Sequence, residues 1–258
     1  FEMLKRKYGR SIADVIAFGE QATERLRKIE GRDQELDRLR KEIEKTRADV
    51  EHSGQALRKL RTKAAPKLSE SICSNLRELG FRQSNFEAKL STLDEPRPNG
   101  FDTIELLFSP NPGEPLKPLR MIASSGEISR LMLAIKSSLA TQDAIPLLVF
   151  DEIDANVGGE IANAVGSKMK QLGDAHQVLC ITHLPQIAAY GRTHYRIEKN
   201  LRGRRTVTDV ARVDGVQREE ELARMIGGSE VSPAVIASAK EMLAFRRGRE
   251  WSAAGGSR

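Results

Sequence analysis

The chain has 258 residues, with 42 Lys or Arg against 36 Asp or Glu for a formal charge of +6; 39% of residues are hydrophobic and 30% charged. That length holds one large folded body or a body plus an extension, and the basic surplus leans toward acidic partners, nucleic acid first, without requiring one. Only Cys73 and Cys180 are present, far apart and without His or Cys at ligand spacing, so neither a disulfide framework nor a zinc site is supported, and no apolar run approaches the roughly 18 residues of a membrane span.

Residues 1–79 are highly charged, with Val15, Ala22, Ile29, Leu36, Ile43, Val50, Leu57 and Ala64 recurring every seven residues. A heptad held this long keeps one seam of a helix against a partner helix, so the stretch reads as a coiled-coil arm. The second apolar position changes phase between Ile12 and Leu26 on one side and Leu39 and Leu60 on the other, an irregularity that locally rewinds a supercoil. Gly19, Gly31 and Gly54 weaken the helix, and Pro66 lacks the amide hydrogen that a helix interior uses. An interruption is therefore expected at Pro66, followed by a second helical segment carrying Leu68, Ile72, Leu76 and Leu79 and closed by Gly80.

The composition shifts near residue 80, and residues 80–250 read as a globular body. Asn85 to Ser91 and Phe101 to Phe108 have strand character, separated by the loop residues Asp94 to Gly100 and followed by another loop from Ser109 to Pro115. Further on, His194 to Glu198 and Arg205 to Val213 read as strands around the basic turn Asn200 to Arg205, while Glu219 to Ile226 and Pro233 to Phe245 read as helices. Residues 251–258 are polar and small and are expected to form a disordered tail.

The chemistry concentrates between Ser124 and His183. Ser124 with Glu127 three residues later has capping-box spacing at the start of a helix whose apolar face is Ile128, Leu131, Met132 and Ile135. Amides exposed at such a start, here those of Ser125 and Gly126, also favour a phosphate. Next comes an apolar run, Pro146 to Phe150, read as a strand buried on both faces and ending in Asp151 and Glu152. One carboxylate can hold Mg²⁺ and the next polarise water, although adjacent acids at a strand end are equally compatible with plain solvated charge. A second apolar strand, Gln177 to Ile181, delivers Thr182 and His183, whose imidazole could meet a γ-phosphate or a water. A Gly-x-x-x-x-Gly-Lys-Ser/Thr phosphate loop occurs nowhere in the chain.

Taken together, Ala123-Ser-Ser-Gly-Glu-Ile-Ser-Arg130, Leu148-Val-Phe-Asp-Glu-Ile-Asp154 and Ile181-Thr-His-Leu-Pro-Gln186 resemble the signature, Walker B with D-loop, and His-switch motifs of ABC-type ATPases of the chromosome-maintenance (SMC) group. Within it the chain is most similar to the C-terminal half of the RecN family of bacterial DNA repair proteins. The likeness extends to Lys5-Arg-Lys-Tyr-Gly9, Asn111-Pro-Gly-Glu114 and Glu221 to Gly228. It implies an α/β fold, the C-terminal lobe of an ABC/SMC-type ATPase head without its phosphate loop, bearing a protruding coiled-coil arm. It further implies ATP and Mg²⁺ as ligands, with Asp151 for Mg²⁺, Glu152 and His183 as catalytic groups, Ser124, Ser125, Gly126 and Glu127 at the nucleotide, and Asp154 in the D-loop at a dimer interface.

The implied partners are an N-terminal half bearing the phosphate loop, a second head across the sandwiched ATP, and DNA, for which Arg202, Arg204 and Arg205 are candidate contacts. The implied location is the cytoplasm, at the nucleoid. Two positions depart from the family pattern: Ser125 stands where a second Gly is usual, at a cost if that position needs positive φ, and Asn156 stands at a usual D-loop Gly. A non-hydrolysing dimerisation or DNA-tethering module and a fragment of another SMC-type ATPase remain alternative readings.

Overall fold

A single helix, α2 (Ile12–Glu78), takes up 67 residues and follows a short helix, α1 (Glu2–Tyr8). The computed structural model describes residues 1–202, 205–228 and 230–254, with backbone alone for 202 and 246–254. Cα packing divides the chain into two units, Phe1–Arg61 with Thr92–Asp102, and Thr62–Ser91 with Thr103–Arg258.

In the first unit, α2 opens on a reciprocal cap. The Asp14 amide donates to Ser11 Oγ at 3.2 Å and the Ser11 amide donates to Asp14 Oδ2 at 2.8 Å, so two donors of the first turn are satisfied. These bonds from Ser11 hold the Asp14 carboxyl below its ordinary pKa. The heptad residues lie open along the helix: Ile29, Leu36, Ile43 and Val50 are 43–66% exposed. Near Gly54 the helix is covered by residues 92–102. A Cβ on Gly54 would stand 2.4 Å from the Phe101 ring, so only glycine admits that ring. Asp102, 3% exposed, accepts from Arg58 Nη1 at 3.0 Å and Arg61 Nη1 at 3.5 Å, and Arg61 also donates to the Asn99 carbonyl at 2.9 Å. A buried carboxylate is tolerable because two guanidinium groups meet it.

The second unit begins with the last turns of α2. The expected interruption at Pro66 does not occur; the helix runs through it. A proline inside a helix costs about 3 kcal/mol, whereas Ile72, Leu76 and Leu79, all within 1% of complete burial, contribute about 2 kcal/mol each. Packing outweighs the lost amide. Strand β1 (Asn85–Arg97) also runs further than its residue types suggest, through Asp94, Glu95 and Pro96, and is joined by β2 (Gly100–Ser109) and the two-residue β3 (Lys117–Pro118) in the order β1-β2-β3. Because β1 is an edge strand, Pro96 withholds no necessary ladder bond.

A 3₁₀ turn (Leu119–Met121) leads to α3 (Ser125–Ser138), then β4 (Leu147–Phe150), α4 (Gly159–Leu172), β5 (Gln177–Cys180) and the single-turn α5 (Pro185–Ala188). Strands β4 and β5 are parallel, in register Leu148↔Val178 and Phe150↔Cys180, with α4 as the crossover. Leu131, Leu133, Ile135, Val165, Met169 and Phe150 form the main core with Ile72, Leu76 and Phe108. Beyond it, β6 (His194–Arg202) and β7 (Arg205–Val213) make a separate antiparallel ribbon. A small second core joins Ala189 to α6 (Gly215–Gly227) and α7 (Pro233–Ala254). Residues 251–254 of the expected tail continue α7, and 255–258 lie outside the described residues.

Only one face of the β4–β5 pair is covered. Leu148 and Phe150 point into the core at 7% and 6% exposure, while Leu147, Val149, Leu179 and Ile181 on the opposite face are 47–56% exposed. The expectation of a strand buried on both faces is thus corrected: the run is apolar throughout, but within this chain a layer of helices packs on one side alone. No helix among the described residues is long and apolar enough to cross a membrane.

Candidate active site

The parallel register brings the ends of β4 and β5 to the same edge, so Asp151-Glu152 and Thr182-His183 leave neighbouring strands side by side. In open α/β sheets this carboxyl edge is where ligands bind. The Ile181 amide donates to the Phe150 carbonyl at 3.0 Å, extending the pairing by one residue toward the acids. Asp151 and Glu152 are both exposed. The Glu152 amide donates to Asp151 Oδ1 at 2.9 Å; among the described residues the remaining carboxylate oxygens of the pair take no hydrogen bond, which leaves them to solvent or a ligand. Glu152 stands at φ 56°, a left-handed conformation that side chains other than Gly, Asn and Asp seldom adopt. Backbone strain of this kind concentrates at functional sites.

The N-terminus of α3 abuts the same loop. Ser124, in extended conformation, accepts from the Glu127 amide at 3.4 Å, as the capping spacing predicts. The amides of Ser125 and Gly126 fall in the first turn, where a helix provides no acceptor. Ser129 Oγ donates to the Asp151 carbonyl at 3.0 Å. Gly126 is required by contact: a Cβ there would lie 2.8 Å from Ala155 Cβ and 3.1 Å from its carbonyl oxygen. Ser125 is an ordinary helical residue with no positive φ, so the conformational cost anticipated for it does not arise. Asn156 does take positive φ, 58°, an angle asparagine tolerates.

Arg130, a residue of the signature stretch without an assigned role in the sequence, turns out to clamp this corner. It is 9% exposed, donates from Nη1 to the Ala155 carbonyl at 3.0 Å and lies 5.2 Å over the Phe81 ring. Desolvation pulls its pKa down from the usual arginine value, opposed by the charge of Glu127. The signal was its place one helical turn after Gly126, on the buried side.

Asp154 is tied into its own chain. Its carboxylate is turned inward, and the residue is 4% exposed. Oδ2 accepts from Thr182 Oγ1 at 2.6 Å and from the His183 amide at 2.8 Å, and lies 2.9 Å from His183 Nδ1. Thr182 Oγ1 in turn accepts from the Leu184 amide at 3.0 Å. The cause is local: the two strand ends leave donors unpaired, and a carboxylate on the neighbouring turn satisfies them. The His183 side chain itself remains 74% exposed. Nearby, burial raises the Cys180 thiol to about 12, with Asp154 and Asp151 adding to the effect, so it stays protonated and inert.

Of the basic residues singled out beyond the site, Arg202 and Arg205 pair across the end of the β6–β7 ribbon, and Arg204 lies outside the described residues. Among the described residues no three His, Cys, Asp or Glu side chains converge as a metal cage. Asp151 alone suits Mg²⁺, which keeps several waters and takes phosphate oxygens beside one or two carboxylates. The open acid pair therefore fits that ion, and the bare first-turn amides of α3 fit an anion.

No protein-family model matches the chain. It is 42% identical over 241 residues to a DNA repair protein RecN of Deinococcus radiodurans, covering 93% of this chain and 42% of that protein. To a DNA repair protein RecN of Halalkalibacterium halodurans it is 39% identical over 246 residues, 94% of this chain and 44% of that protein. The chain thus spans less than half the length of these relatives. A crystal structure of an Smc head domain with a coiled coil and joint from Pyrococcus yayanosii superposes with a TM-score of 0.57 at 18% identity, over 82% of this chain and 38% of the other. The sequence is RecN-like over nearly its whole length, and the fold is that of an SMC-type head lobe with a coiled-coil arm.

Proposed function

We propose that this chain is the C-terminal part of a RecN-like DNA repair ATPase, serving recombinational repair of double-strand breaks, and that it supplies one side of an ATP site. The observation that carries the reading is the shared edge: the acid pair after β4, Thr182-His183 after β5 and the α3 N-terminus abut one loop, bound through Ser129, Gly126 and Asp154. In this reading Asp151 holds Mg²⁺, and the ion supplies charge neutralisation on phosphate oxygens. Glu152 orients the attacking water and draws on its proton. Ser124, Ser125, Gly126 and Glu127 present hydroxyls and amides to the γ-phosphate of a nucleotide held by a second head.

The phosphate loop comes from an N-terminal half, and the bare face of Leu147, Val149, Leu179 and Ile181 is where that half completes the lobe. Burying those four side chains gives the association its driving force. The open heptad seam of α2 receives the matching helix of the same half. DNA, the nucleoid location and contacts through Arg202, Arg204 and Arg205 belong to the same proposal.

The test is ATP turnover by this chain with and without a separately supplied N-terminal half bearing a phosphate loop. Turnover is expected only from the mixture. Hydrolysis by the lone chain at the rate of the mixture contradicts the shared site.

A further inference from the structure

Asp154 is the least exposed carboxylate of the site, and its part so far is to tie the loop to the end of β5. Its contacts say more. One oxygen, Oδ2, gathers the Thr182 hydroxyl, the His183 amide and, at 2.9 Å, His183 Nδ1. Two of these fix the backbone at the end of β5 and so fix where the imidazole starts. The third bears on the ring itself. An imidazole nitrogen carries either a proton or a lone pair, and a lone pair 2.9 Å from the oxygen of a buried carboxylate is repelled where a proton there is attracted. The ring nitrogen nearest a carboxylate is the one that keeps the proton, and its partner's role follows from that.

We infer that Asp154 is the positioning residue for His183, holding the end of β5 in place and the proton on Nδ1, so that Nε2 is the ring nitrogen left to face the site. Asp154 thereby acts on a residue of its own chain. This deepens, and rests on, the ATPase reading: the imidazole is held by Nδ1, and Nε2 is the atom presented to the nucleotide.

The first measurement needs no hydrolysis. Two-bond ¹⁵N–¹H correlation spectra of the chain with ¹⁵N-labelled histidine, at pH about 8 where histidines are ordinarily neutral, report which ring nitrogen is protonated. His183 is expected as the Nδ1–H tautomer. Asp154→Ala should shift it toward Nε2–H, and Asp154→Asn, whose amide oxygen can stand in for Oδ2, should recover part of the Nδ1–H population. His176, whose ring nitrogens face the carbonyls of Ile145 and Ala140, keeps its signals in variants that fold. If the alanine variant misfolds, the tautomer of the unaltered chain and of Asp154→Asn still decides.

An Nε2–H tautomer in the unaltered chain, or one unmoved by Asp154→Ala in a folded protein, overturns the inference. In a turnover assay with the phosphate-loop half, Asp154→Ala should lower kcat about 10²-fold with KM little changed, the scale of losing a positioned acid–base group. Absence of turnover from any mixture, with the Nδ1–H tautomer present, would defeat the ATPase reading and leave the Asp154–His183 assignment standing.

Discussion

The arm and the head use the same apolar residues at helical spacing with opposite results. In the head, Ile72, Leu76, Leu131 and Leu133 are wholly buried; along the arm, Ile29, Leu36, Ile43 and Val50 keep about half their surface in water. Periodicity alone therefore says which face of a helix is meant to be covered, and only the fold says whether this chain does the covering. The β4–β5 pair repeats the contrast within one sheet, with Leu148 and Phe150 inside and Val149 and Leu179 outside. In both places the exposed apolar residues recur at the period of their element, every seven residues along α2 and on one face of the strand pair, which is how a seam differs from scattered exposed residues.

Substitutions sharpen that contrast. Leu76→Ala should destabilise the head by about 2–5 kcal/mol, the range for emptying a packed core site. Ile43→Ala should change the stability of the lone chain by less than about 0.5 kcal/mol, and should begin to matter once an N-terminal half covers the seam. Denaturant titration of both variants, alone and mixed with that half, separates the cases; equal costs in the lone chain would contradict the account of the arm.

A smaller loss is expected at Gly126→Ala. The added methyl meets Ala155 at 2.8 Å, and overpacking of this kind costs about 1–3 kcal/mol; a melting temperature unchanged from the parent would show that α3 does not press on that loop. Glu152→Gly should act in the other direction, raising stability by about 1 kcal/mol through relief of the positive φ, while removing the carboxylate that the mechanism needs. A loss of stability in that variant would mean that Glu152 is not held in a left-handed conformation.

Much of this was legible in the residues. The Ser124–Glu127 cap, the two apolar strands and the residues that follow them stand where spacing and residue type put them, because they depend on local backbone chemistry. Three features were not. Pro66 inside α2 is carried by burial of Ile72, Leu76 and Leu79, a tertiary effect that outweighs a local rule. Helix α4 falls where no element was assigned, since Gly158, Gly159, Gly166 and Gly173 mask the period of Ile161, Ala162, Val165, Met169 and Leu172. The inward turn of Asp154 depends on β5 lying beside β4, a pairing that a sequence does not spell out.

The smallest effect concerns the ribbon end. Burial, followed by the positive charge of Arg218, lowers the pKa of His194 below its ordinary 6.5, with Glu221 opposing. The folded state therefore resists a proton that the unfolded chain accepts, and stability rises with pH in this window. The contribution is fully present above 6.5 and fades as pH falls through 6.5 toward the lowered value. Thermal melts between pH 7.5 and 5 should show a shallow decline attributable to His194, reduced in His194→Asn; an equal decline in both proteins would remove His194 from the cause.

The most direct test is the mixture of this chain with the phosphate-loop half, assayed with Glu152 intact and as Glu152→Gln. Turnover falling by about 10² or more, with ATP still bound, is the predicted result for a lost general base. Turnover indifferent to the substitution would contradict the claim that the acid pair after β4 faces the nucleotide.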